Sequence, residues 1–298
     1  MASFLKSLCQ RKTQEYDWVD HKFKFMRLSL DEKRNYYRCK EFKTVGDIPR
    51  WSKDFDFGQE QESDEELEEE EEEEEEDEPE QGKGQQKQED ESVEKKEEQA
   101  QEQDFSYDEV FQADPALNNK IGIFFGRLEF LEVDAVVIPC DQHLDQRKEK
   151  DKLPPSIVNC TNYIVIHEEA GQYLRNECDS IKVCPPGEAR ITGGYLLPAK
   201  YVIHTNAPTI QVPDPIENCY VNSLRLALEN NIKTIAFPCI STGGTFGYPQ
   251  KETAHRVLRS VRRFLDIYDS RFELIVFCLT AKEEKKTYKE VLPRYFPL

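Results

Sequence analysis

The chain has 298 residues, with 40 Lys+Arg against 59 Asp+Glu and a net charge of −19. The acidity is local: residues 60–104 hold 25 acidic residues and 4 lysines, a local charge of −21 that leaves the rest at +2. No apolar run is long enough to span a bilayer and no signal-peptide core opens the chain, so no membrane partner is expected. Nine scattered cysteines without a CxxC pair argue against a disulfide frame and a zinc-binding spacing, and fit a reducing cytoplasmic and/or nuclear setting.

Taken in order, residues 1–58 form a mildly basic, aromatic leader. Ser29 followed by Glu32 is a capping box and predicts a short helix through Arg38. The leader is too short for a core of its own and is expected to dock on the main domain or on a partner. Residues 59–106 contain the unbroken run Glu68 to Glu76. So little apolar surface cannot offset chain entropy, and a disordered acidic linker is expected. Such a segment can also serve as an arm for basic proteins such as histones, or compete with an anionic ligand.

Residues 107–298 alternate in type. Strands are predicted over Lys120 to Phe125, Ala135 to Pro139, Tyr201 to Thr205, Ile232 to Ile240 and Leu274 to Leu279. Ser156 to Cys178 is mixed, with helical spacing in its second half. Helical spacing also marks Cys219 to Asn230, Gln250 to Tyr268 and Glu283 to Tyr295. Val/Ile-rich strands alternating with helices predict a three-layer α/β/α domain.

The richest motif joins the fourth of those strands to the helix at Gln250. It runs Pro238, Cys239, Ile240, Ser241, Thr242, Gly243, Gly244, Thr245, Phe246, Gly247, Tyr248 and Pro249. Glycines at 243, 244 and 247 permit backbone conformations that turn successive N–H groups into one concavity. The helix that follows adds the positive end of its dipole, so the turn suits a phosphate. A strand–helix turn kept for packing is the alternative reading.

The block from Cys184 through Gly187, Glu188, Ala189, Arg190 and Gly193 to Ile203, His204 and Thr205 resembles the central block of MacroD-type macrodomains. Leu131 to Val137 and Phe237 to Pro249 resemble the flanking blocks in order and spacing, and Ile166, His167, Ala170 and Gly171 match a helix end of the same family. The segments Val261 to Leu265 and Tyr295 to Leu298 are similar to the macrodomain of ganglioside-induced differentiation-associated protein. The resemblance implies a mixed central sheet and an ADP-ribose cleft at its C-terminal edge. For MacroD enzymes it also implies removal of ADP-ribose from protein carboxylates.

Against that pattern the chain departs at three places. The family's adenine-binding Gly-Asp-Ile becomes Gly126, Arg127 and Leu128; a guanidinium has no acceptor, so Arg127 would stack on a base or meet a phosphate instead, or be an ordinary surface arginine. Its Asn-Ala-Ala-Asn becomes Ile138, Pro139, Cys140 and Asp141, with Asp141 left as a ribose contact. Its glycine-rich catalytic loop becomes Asp145 to Lys152 with Pro154 and Pro155. The family's catalytic Asp falls, to within a residue or two, on Tyr163, and a phenol is a poor general base at neutral pH. In the Ser241 to Gly247 turn, Gly244, Thr245 and Phe246 are three residues where the family has two, and Phe246 takes the place of the aromatic over the ribose.

Three readings therefore stand. The first is a non-catalytic macrodomain binding ADP-ribose, a related nucleotide or an ADP-ribosylated partner through Ser241, Thr242, Gly243, Gly244, Thr245, Phe246, Gly247, Asp141 and Arg127. It amounts to a pseudoenzyme with no cofactor and no metal; nucleic acid stays open as a ligand. The second is a divergent hydrolase with Asp141 or Asp145 as base. The third is an interaction protein working through the acidic tract. Among the histidines, His204 is expected to be a satisfied core residue, His167 to lie on a helix surface, and His255 to lack a partner.

Overall fold

The computed structural model describes residues 18–58, 109–144, 161–181, 183–207, 216–240 and 249–298. The acidic run at 59–106 lies outside them. So do Asp145 and the whole segment from Ser241 to Tyr248.

Strands β1 (Ile121–Phe125), β2 (Ala135–Cys140), β3 (Ala189–Gly193), β4 (Tyr201–Asn206), β5 (Thr234–Pro238) and β6 (Leu274–Leu279) form one sheet. Their spatial order is β1-β6-β5-β2-β4-β3, parallel throughout except for β3, which runs antiparallel to β4. The helices packed on its two faces are α1 (Thr161–Ala170), α2 (Gln172–Ser180), α3 (Ile216–Glu229), α4 (Gln250–Tyr268) and α5 (Lys282–Tyr295). None of the described helices is long and apolar enough to cross a membrane.

Because side chains alternate along a strand, the sheet feeds two cores. Ala135, Val137, Ile203, Ile235, Phe237, Ile275 and Phe277 face α3, α4 and α5. Val136, Ile138, Cys140, Val202, Ala236, Val276 and Cys278 face α1 and α2. Both faces are covered, which is why the strands read as continuous apolar runs. This is the expected three-layer α/β/α arrangement with a mixed sheet.

The leader is built into this unit rather than apart from it. Described residues up to Phe57 and from Phe111 onward form one compact body. Ser29 caps the helix Leu30–Arg34 by accepting from the Glu32 N–H at 3.3 Å, while Glu32 accepts from the Ser29 N–H at 2.8 Å. The helix ends at Arg34, short of Arg38, and a further helix covers residues 18–27. Residues 49–51 run along the free edge of β1: the Trp51 N–H donates to Ile121 O at 2.8 Å and the Ile123 N–H to Pro49 O at 3.2 Å. An otherwise open sheet edge is thereby covered. Trp51 Nε1 donates to Phe296 O at 2.7 Å and ties the leader to the end of the chain.

Just ahead of β2, Arg34 grips Glu132 with two hydrogen bonds of 2.8 and 2.7 Å, and Tyr37 adds a third at 2.9 Å. Lys33 is buried and donates to Pro198 O and Ala199 O at 3.1 and 2.6 Å. Burial pushes its amine down to about 7, against the pull of Glu132.

Candidate functional site: the crevice between two central strands

Strands β2 and β5 are neighbours whose outgoing chains leave over opposite faces. The chain after β2 leads to α1 and the core it shares with α2; the chain after β5 leads to α4 and the other core. Such a switch in direction leaves a crevice outside the carboxyl ends of the strands, where α/β folds bind ligands. Here the strands also part early. β2 pairs with β4 across six positions, but with β5 at Ala135↔Ile235 and Val136↔Ala236 alone among the described residues. From Val137 and Phe237 onward the two strands diverge toward the crevice.

The β5 side is held by Tyr220 of α3. Its hydroxyl donates to Pro238 O at 3.2 Å and accepts from the Ile240 N–H at 3.3 Å, while its ring stacks on Phe237 at 4.9 Å. Burial pushes the phenol well above its ordinary pKa, so it remains a donor. Tyr220 thus fixes the last described residues before the Ser241 to Tyr248 segment. Beyond that segment, Pro249 caps α4, and the Thr253 N–H donates to Pro249 O at 3.0 Å.

On the β2 side, Asp141 follows Cys140 directly. Its Oδ1 accepts the His143 N–H at 2.8 Å, so the carboxylate shapes its own turn. Leu144 closes that turn with φ 55° and is fully buried. The Cys184 N–H donates to Gln142 O at 2.8 Å and pins the turn to the central block. Asn206 then holds that block from both ends: its Nδ2 donates to Cys184 O at 2.7 Å and its carbonyl accepts the Gly187 N–H at 2.8 Å. The thiols of Cys140 and Cys184 adjoin behind Asp141. A hydrogen bond from Cys140 holds the Cys184 thiol below its ordinary range, and burial pushes Cys140 well above it.

Tyr163 does not face the crevice as a catalytic group. It is buried, its hydroxyl donates to Leu144 O at 2.8 Å, and its ring lies 4.2 Å from that of His167. It ties the start of α1 to Leu144, the last described residue after β2. Arg127 sits at the end of β1, where Gly126 has φ 155° and a Cβ would come within 2.9 Å of Phe124. Its guanidinium is exposed, pairs with the buried carboxylate of Glu129 and lies 4.9 Å from the Phe130 ring. Its charge is thus partly spent on Glu129, while a face of the group remains open.

Of the sequence-derived site residues, Arg127 and Asp141 are described, at the ends of β1 and β2. Asp145 and Ser241, Thr242, Gly243, Gly244, Thr245, Phe246 and Gly247 lie outside the described residues. Two histidine expectations need correction. His167 is buried, 2% exposed, because α1 packs it against Tyr163 and His204 rather than turning it to solvent. His255 meets Tyr295 of α5, Nδ1 to hydroxyl, at 3.0 Å; burial, then Arg294 and Lys251, lower its pKa. His204 is buried as expected, with Nε2 2.9 Å from Thr192 Oγ1, but its Nδ1 has no hydrogen-bond partner among the described residues. Burial holds its pKa down to about 3. His167, Cys178 and His204 also form a group whose metal-ligating atoms lie within 4.8 Å of one another, which no spacing in the sequence announced. Tyr220 was missed as well; an apolar-flanked tyrosine on an amphipathic helix carries no signal of where its hydroxyl reaches.

A three-layer fold with this strand order and this crevice defines the macrodomain class, and the chain belongs to that family. The Macro domain family model matches residues 164–257. The chain is 38% identical over 194 residues to ADP-ribose glycohydrolase MACROD1 of Rattus norvegicus, covering 63% of this chain and 70% of that protein. It is 38% identical over 197 residues to the Mus musculus protein of the same name, of which it spans 57%. The solved macro domain of ganglioside induced differentiation associated protein 2 shares the fold, with a TM-score of 0.59 at 24% identity, over 87% of this chain and 98% of that one. A Trypanosoma brucei macrodomain solved in complex with ADP-ribose matches with a TM-score of 0.52 and 31% identity, over 61% of this chain and 74% of that one.

Proposed function

We propose that this chain is a divergent macrodomain that binds ADP-ribose, a related nucleotide or an ADP-ribosylated protein, and that it does not hydrolyse the ligand efficiently. Tyr163 carries the second half of the reading. It stands at or beside the position of the family's catalytic Asp, and its hydroxyl is committed to Leu144 O in the core. A buried phenol held in that bond cannot take a proton from water at neutral pH. Support for binding comes from the crevice between β2 and β5, the Ser241 to Gly247 sequence that follows it, and the relative solved with ADP-ribose. In this reading the Gly-rich turn holds the diphosphate, Arg127 meets the base or a phosphate, and Asp141 meets a ribose hydroxyl.

Two measurements on the full chain test the proposal. Calorimetric titration with ADP-ribose should show saturable one-site binding. Incubation with a protein carrying ADP-ribose on acidic side chains should release it no faster than the spontaneous rate. Rapid release would overturn the reading, and so would the absence of any binding.

One observation favours a second reading. The MACROD1 relatives are named as glycohydrolases, and the family resemblance implies that the substrate's own phosphate can assist ester cleavage. Asp141, the carboxylate at the mouth of β2, or Asp145 would then serve as base. Turnover that disappears in the double variant Asp141→Asn/Asp145→Asn would establish it.

A further inference from the structure

Beneath α1 and α2, away from the crevice mouth, three side chains of metal-ligating type meet in the core. His167 comes from α1, Cys178 from α2 and His204 from the middle of β4; each is no more than 2% exposed. Their donor atoms all lie within 4.8 Å of one another. His204 Nε2 stands 3.8 Å from Cys178 Sγ, and the two imidazole rings are 5.7 Å apart at 60°.

These distances have a definite meaning. A thiolate and an imidazole bound to one ion at about 2.3 and 2.05 Å, separated by a trigonal angle, place sulfur and nitrogen about 3.8 Å apart. That is the spacing between Cys178 and His204. A tetrahedral angle would draw them closer, to about 3.5 Å. Thr192 Oγ1 lies 2.9 Å from His204 Nε2 and 3.4 Å from Val202 O, so an ion on Nε2 takes the place of the Thr192–His204 hydrogen bond and Thr192 shifts aside toward the Val202 carbonyl.

Charge then selects the ion. One thiolate with a divalent cation leaves a net +1 in a dry core, which is costly; with a monovalent cation the site is neutral. The buried carboxylate nearest in sequence, Glu177, cannot compensate. It is held by Lys22, by the Gly193 N–H at 2.9 Å and by the Tyr195 hydroxyl at 2.7 Å. Thiolate and imidazole donors also favour a soft ion. We propose that His167, Cys178 and His204 form a three-coordinate site for monovalent copper. Binding forms one Cu–S and two Cu–N bonds, and the Cys178 thiol releases one proton to solvent; no electron is transferred.

The test uses the full chain under anaerobic conditions, with Cu(I) supplied in a bicinchoninate buffer during refolding. One equivalent should be retained against the competitor, and X-ray absorption should show one sulfur and two nitrogens around copper. Cys178→Ser and His167→Gln should each weaken retention at least about tenfold, while Cys39→Ser should not change it. Copper should raise Tm in the parent chain and not in either variant. Circular dichroism of both variants guards against misreading an unfolded protein. The proposal fails if the parent chain retains no copper, if both folded variants keep it, or if the site takes Zn(II) in preference to Cu(I).

Discussion

Tyr220→Phe removes one oxygen and leaves the ring in place. The stacking on Phe237 is retained, so packing changes little. What is lost is the link between Pro238 O and the Ile240 N–H, bonds of 3.2 and 3.3 Å at a fully buried point. Each such bond contributes about 0.5–1.5 kcal/mol, and both are long, so the expected loss of stability is about 1–2 kcal/mol. For a folded unit of this size that corresponds to a fall in Tm of roughly 3–6 °C. Because Ile240 leads directly into the Gly-rich Ser241 to Gly247 sequence assigned to the ligand in the proposed function, ADP-ribose affinity should also fall, by about threefold to tenfold. Urea denaturation gives the first quantity and calorimetry the second. A variant that loses less than about 0.3 kcal/mol and binds ADP-ribose as the parent does would refute the assignment of Tyr220 as a positioning residue.

Three further outcomes are expected. Trp51→Phe, which loses the bond to Phe296 O, should cost about 1–2 kcal/mol in chemical denaturation, whereas a free-standing leader would make the substitution silent. Arg34→Met leaves the buried Glu132 without its cation and should destabilise by about 2–4 kcal/mol; Arg34→Met/Glu132→Met should recover part of that loss, and additivity of the two single changes would argue against the pairing. Lys33 titrates near 7 in the folded chain and near 10.5 when unfolded, so the unfolded state holds the extra proton between those values. Stability should therefore rise with pH across that window, by up to about 1.4 kcal/mol per unit, and stay flat below it; parallel profiles for the parent and Lys33→Met would contradict this.

Elements with a strong period were legible in the sequence. Gln250 to Tyr268 and Leu274 to Leu279 match the observed α4 and β6, because one carries a clear apolar stripe and the other is apolar throughout. β3 was not legible. Its residues, Ala189, Arg190, Ile191, Thr192 and Gly193, are mixed in character because it is an edge strand with one partner. The burial of His167 was hidden for a related reason. α1 is apolar on several sides, with Ile164 exposed and Ile166 buried, so its period gives no direction. The Ser29 box marked a helix start; the stop at Arg34 goes with Asn35, whose side-chain Nδ2 donates to Asp31 O and Glu32 O at 3.2 and 3.3 Å. Within the site, chemistry by residue type was readable for Arg127 and Asp141. Their present partners, Glu129 and the His143 N–H, were not, since pairing over two residues competes with any ligand in a way that composition does not record.

The edge of β1 is completed by residues 49–51, which precede it by some seventy positions. In topological terms the acidic stretch is therefore an insertion within one folding unit, not a tail hung from it. Closure entropy varies only with the logarithm of length, so halving such an insertion alters stability by about 0.6 kcal/mol. Its length and charge are thus nearly free variables for the fold. A proteolytic cut inside it would leave two fragments still fastened through Trp51, Arg34 and Lys33.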